Sequence, residues 1–101
     1  MAKEAFRLRI KKGMNDEYKR RHDMIWPGML DLMKEMGVRN YSIWNAGQDI
    51  FGYYEVDDPE KAKEIAGKSK VAVKWAEYMS DVMDDVLSDE GTEMKLMFLF
   101  E

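Results

Sequence analysis

The 101-residue chain contains no cysteine, which excludes disulfides, thiolate nucleophiles and thiolate metal sites and fits a reducing compartment. It has one histidine and two prolines, and its seven glycines occur singly, so there is no phosphate-cradling loop or dinucleotide fingerprint. The histidine has no second His or Cys beside it and the acids are scattered, so neither a metal nor any other cofactor is expected. No stretch approaches the roughly 18 apolar residues that span a bilayer. Met1-Ala2-Lys3-Glu4-Ala5 also lacks the apolar run of a signal peptide, so a cytoplasmic location without a membrane partner is expected. Positive charge is not in excess. Lys and Arg number 16 against 20 Asp and Glu, a net charge of −4 with the signs interspersed, and nucleic acid is not an expected partner.

What is present is an ordinary globular balance, 46% hydrophobic and 36% charged, at a length that suits one domain over residues 1–101 with a single site. Phe6, Leu8 and Ile10 alternate with Arg7, Arg9 and Lys11, the period-two pattern of a strand with one buried face. After Gly13, Met14 to Met24 reads as a short charged helix. Pro27 disfavours helical geometry at Trp26 but suits the first turn of a second helix, whose Met29, Leu32, Met33 and Met36 form one stripe read as core filling. Gly37 is suited to close it. Val38 to Asn45 and Ile50 to Val56 are rich in aromatic and β-branched residues and predict a hairpin, with Gly47 available for a positive φ.

Asp57-Asp58-Pro59-Glu60 supplies the start of a short helix to about Ala66. Ser69 caps a further helix in which Ala72, Trp75, Met79, Val82 and Val86 fall at three- and four-residue steps. Ser88 to Thr92 reads as a polar loop, and Met94 to Phe100 as a strand apolar on nearly both faces. The order strand, helix, strand, strand, helix, strand is that of the ferredoxin-like α+β fold, a βαββαβ sandwich. Helices cover one face of such a sheet, so a last strand apolar on both faces predicts a second subunit on the other, that is, a homodimer.

His22 is the natural proton shuttle near neutral pH, because an unperturbed imidazole titrates near 6.5. Tyr18 lies four residues earlier, so on a helix the two side chains project from the same side one turn apart, a spacing suited to a small polyol. Trp75 and Tyr41 offer aromatic faces for the apolar side of a pyranose; taken alone, Trp75 and Trp26 read as core aromatics. Changing the anomer of a free sugar requires only a proton delivered to the ring oxygen while another leaves the anomeric hydroxyl. Positioned acid–base catalysis supplies about 10²- to 10⁴-fold for such a step. Asp81, Asp84, Asp85, Asp89 and Glu90 sit where solvation is expected and form no acid–base pair.

Several blocks taken together resemble the L-rhamnose mutarotase family over nearly the full chain. They are Ala5-Phe6; Glu17-Tyr18-Lys19-Arg20-Arg21-His22 with Ile25-Trp26-Pro27; Asn40-Tyr41-Ser42-Ile43; and Trp75 with Tyr78-Met79 before Asp81-Val82-Met83. The resemblance implies a homodimeric ferredoxin-like protein of the dimeric α/β-barrel type. It also implies an isomerase of carbohydrate metabolism that interconverts the anomers of L-rhamnopyranose without a cofactor. His22 is then the proton donor, Tyr18 and Tyr41 bind the sugar, and Trp75 forms a pocket wall. The chain departs from the family pattern at Ala76, where a second adjacent tryptophan is usual, and at Asp84 to Glu90, where an asparagine-proline-aspartate stretch is usual. With Ala76 at the substrate-binding position, L-fucose or another deoxy sugar is an alternative substrate. Monooxygenases on the same fold and a non-catalytic sugar-binding module are the readings from other classes.

Overall fold

The computed structural model describes residues 2–84 and 93–101. Its elements are β1 (Ala2–Arg9), α1 (Asn15–Asp23), α2 (Pro27–Glu35), β2 (Val38–Ala46), β3 (Asp49–Val56), α3 (Pro59–Gly67), α4 (Lys70–Met79) and β4 (Glu93–Met94). All strand pairings are antiparallel, in the spatial order β2-β3-β1-β4. This is the ferredoxin-like order, with each crossover helix split in two.

Local chemistry accounts for the splits. Trp26 takes extended backbone geometry (φ −63°, ψ 138°) ahead of Pro27, so α1 cannot run into α2. Asp58 caps α3 by accepting from the Lys61 N–H at 3.1 Å, and Ser69 caps α4 by accepting from the Ala72 N–H at 3.2 Å. Gly37 closes α2 at φ 77° and Gly47 turns the hairpin at φ 61°, both in the left-handed region.

On β3, buried Ile50, Gly52 and Val56 alternate with half-buried Phe51, Tyr53 and Glu55, as expected when helices cover one face. The helix-side core is built from Ile10, Tyr18, Ile50, Met79 and Val82. On the opposite face Trp44, paired with Phe51, is 70% exposed.

Two expectations are corrected. The helix expected to run on to Val86 ends at Met79. The chain instead extends alongside β1: Met83 bridges Ile10, and the Lys11 and Asp84 N–H groups donate to the carbonyls of Val82 and Arg9 at 2.9 and 2.8 Å. Val82 is fully buried either way, so its apolar spacing cannot distinguish a helix from this bridge. Val86, Asp85, Asp89, Glu90 and the loop from Ser88 to Thr92 lie outside the described residues.

The strand expected over Met94 to Phe100 pairs with β1 only at Glu93 and Met94. Beyond them, residues 95–101 form no strand, and Met97, Phe98 and Phe100 are 90, 81 and 88% exposed. The physical reason is twofold. Ala5 pairs with Met94, so β1 has only three further residues, Ala2 to Glu4, to offer. A segment apolar on both faces also finds helices on only one side of the sheet.

Candidate active site

The site is built around α1. Tyr18 is buried in the core, and His22 follows it one turn later with the two rings stacked, centroids 4.3 Å apart at 25°. Trp75 of α4 meets the imidazole edge-on at 5.4 Å and 89°. His22 Nδ1 lies 3.0 Å from the main-chain carbonyl oxygen of Tyr18. A carbonyl only accepts, so Nδ1 carries the hydrogen and donates it, which leaves Nε2 as the nitrogen that exchanges protons.

His22 borders two cavities. The larger, about 680 Å³, lies between α2 and the sheet and includes Tyr41, Tyr54, Phe6 and Trp75 in its wall. The smaller, about 330 Å³, lies between α1 and the hairpin and is lined by Tyr18, Asn15, Asp16 and Asn45 among others.

Tyr41 reaches the larger cavity because of a β-bulge. Arg39 pairs with Glu55 and Ser42 with Tyr53, so β2 carries one residue more than β3 in this interval. Asn40 accommodates it at φ 51°, and its side-chain amide donates to Glu55 Oε1 at 2.7 Å. In strict alternation Val38 would share its face with residues 40 and 42; after the bulge it shares the cavity with Tyr41 and Ile43. Tyr41 stacks on Tyr54 at 5.4 Å and meets the edge of Phe6 at 6.3 Å.

Electrostatics separates donors from bases. Burial pushes the Tyr18 phenol up to about 12. Burial, then the neighbouring phenols of Tyr18 and Tyr54, raises that of Tyr41. Both therefore stay neutral at physiological pH and act as hydrogen-bonding hydroxyls.

Arg21, next to His22, faces the other way and fastens α1 to the end of α4. It donates to Glu17 at 2.6 Å, to the Tyr78 carbonyl at 2.7 Å and to both Asp81 oxygens at 2.8 and 3.1 Å, and its guanidinium lies 4.5 Å from the centre of the Tyr78 ring. These bonds hold the Asp81 carboxyl below its usual range, and Asp81 lines neither cavity, so it is no proton acceptor for a bound sugar. Arg20 and Arg21 together hold Glu17 down to about 2. Among the described residues no group of three or more His, Cys, Asp or Glu is placed to hold a metal ion, and no helix is long and apolar enough to cross a membrane.

The structure thus brings His22, Tyr41 and Trp75 to one cavity. Tyr18 sits against His22 from the smaller cavity, and Ala76 is exposed and lines neither. Tyr54 and Phe6 were not among the residues expected in the site; on β3 and β1 they read as ordinary alternating strand residues. Met29, Met33 and Met36, expected as core filling, are half-buried and line the larger cavity.

Comparison with known proteins matches residues 3–100 to the family model for L-rhamnose mutarotase. The chain belongs to the L-rhamnose mutarotase family. Curated members include an L-rhamnose mutarotase of Shouchella clausii, 36% identical over 103 residues and covering 97% of each chain. Another, from Pectobacterium carotovorum, is 38% identical over 85 residues, covering 82% of this chain and 81% of the relative. The crystal structure of an L-rhamnose mutarotase from Formosa agariphila superposes with a TM-score of 0.83 at 27% identity, over 100% of both chains. The ferredoxin-like architecture of this L-rhamnose mutarotase family member is therefore shared along its whole length.

Proposed function

We propose that this protein is a single-domain cytoplasmic isomerase that interconverts the α and β anomers of L-rhamnopyranose, with His22 as proton donor. The observation that carries the reading is the imidazole itself. It is held between the Tyr18 ring and Trp75 and tied through Nδ1 to a helix carbonyl, and it borders a cavity walled by Tyr41 and Trp75. In the imidazolium form Nδ1–H stays on the Tyr18 carbonyl while Nε2–H passes its proton to the ring oxygen, as the anomeric hydroxyl loses its own proton to water. The neutral imidazole left behind takes the proton back on closure. The bond between the anomeric carbon and the ring oxygen breaks, the aldehyde rotates, and closure reverses the transfers on the other face. Tyr41 and Tyr18, both neutral phenols, orient sugar hydroxyls, and Trp75 stacks on the apolar side of the ring. Water accepts the anomeric proton in the larger cavity, whose lining among the described residues includes no carboxylate and whose phenols stay protonated, while Asp81 is bound to Arg21.

The protein acts as a homodimer in this reading. The exposed apolar segment Leu96 to Phe100 and exposed Trp44 are the surfaces a second copy would cover.

The decisive experiment is saturation-transfer NMR between the two anomeric protons of L-rhamnose. Wild-type protein is expected to accelerate exchange, and His22→Ala to lower the rate about 10²- to 10⁴-fold while circular dichroism stays unchanged. Undiminished exchange in that variant would overturn the assignment.

A further inference from the structure

The larger cavity exceeds what a bare deoxyhexose needs. Even at the ~30 Å³ each water molecule takes in the liquid, the eleven heavy atoms of rhamnopyranose account for about 330 Å³. That is about half of the 680 Å³ present. The cavity is a cleft open to solvent beside the exposed Leu30 and Tyr41, so the remaining space is reachable by a group carried on the sugar.

Its lining divides by chemistry. His22, Tyr41, Tyr54 and Trp75 supply the side-chain nitrogen and oxygen atoms of the wall, while Met29, Leu30, Met33, Met36, Val38 and Ala66 supply none. Three of these are methionines, unbranched and adaptable: Met29 and Met33 on α2 and Met36 at its C-cap. The apolar space is continuous with the imidazole, so a ligand that reacts at His22 extends directly into it.

We propose that the protein also takes 6-deoxyhexoses that carry an apolar O-alkyl or O-acyl substituent, with the substituent seated on this methionine-lined wall. The inference rests on the mutarotase reading. It also fixes where the substituent can be. The anomeric hydroxyl and the ring oxygen must remain free for proton transfer at His22, so the group is carried on O3 or O4, across the ring from the reacting atoms.

The test compares L-rhamnose with its 4-O-butyl ether by the same anomer-exchange NMR. Each CH₂ removed from water is worth about fourfold in binding (about 0.8 kcal/mol). The butyl ether is therefore expected to show a KM at least tenfold below that of the bare sugar. Ala66→Phe, which fills the apolar space, is expected to bring the ratio of the two KM values close to one. Leu30→Gln, at a half-exposed position where folding is little loaded, is expected to lower the ratio as well.

A butyl ether that is not exchanged, or whose KM is no lower, overturns the inference while exchange of L-rhamnose leaves the underlying reading intact. Absence of exchange with both sugars overturns the reading itself. If the C-terminal segment of a second copy fills the space instead, the wild-type ratio stays near one and the inference fails.

Discussion

Gly52 lies in the middle of β3, paired with Phe6 on one side and Ile43 on the other, and is buried. A Cβ built there would overlap the Phe6 ring, which crosses directly above the glycine. Gly52→Ala must therefore displace Phe6, and the displaced ring either enters the larger cavity or loses its edge contact with Tyr41 at 6.3 Å. Overpacking of this kind costs about 1–3 kcal/mol. Replacing glycine also restricts the unfolded chain, which returns about 0.4–1 kcal/mol.

The net expectation is a loss of about 1.5 kcal/mol, which lowers Tm by roughly 6–12 °C in a domain of this size. The clash has a named partner, so the effect is coupled to it. In a Phe6→Leu background, Gly52→Ala is expected to be neutral or slightly stabilising. Urea and thermal unfolding of the four proteins in a double-mutant cycle measure this. Equal destabilisation in both backgrounds would refute the claim that Phe6 is what the glycine accommodates.

Two further outcomes follow from the charge network and the apolar terminus. The Glu17 carboxyl titrates near 4.5 when unfolded and about 2 when folded, so its stabilising effect is complete above 4.5 and is lost as pH falls toward 2. Urea midpoints measured across that window are expected to fall in the wild type and to fall less in Glu17→Gln; identical profiles would remove Glu17 from the acid response. Sedimentation is expected to give a dimer mass at micromolar concentration and Phe98→Glu to shift it to monomer, whereas a wild-type monomer would refute the covered-terminus reading.

What could be read from the sequence was local. The break at Pro27, the caps at Asp58 and Ser69 and the turn at Gly47 depend on residues within a few positions of one another, and each falls where its chemistry places it. Tyr18 and His22 belong to the same class, because one turn of helix brings them together. Other features depend on partners far along the chain. Tyr41 enters the cavity only because a bulge shifts the face that β2 presents, and the clue was a single asparagine in left-handed geometry. The end of α4 was hidden because Val82 satisfies helical spacing and the bridge beside Ile10 equally well. The last strand failed for want of a surface to lie on.

The hydrogen bond that orients His22 ends on main chain rather than on a side chain. In many acid–base sites the orienting group is a carboxylate or amide that a single codon change deletes. Here the acceptor is the backbone of residue 18, present whatever side chain stands there, so Tyr18→Phe or Tyr18→Ala keeps it. The proton inventory of the imidazole is thus inherited from helix geometry, and residue-by-residue mutational scanning would pass over the group that sets it. Only a change that unwinds α1, such as proline in its interior, would reach it.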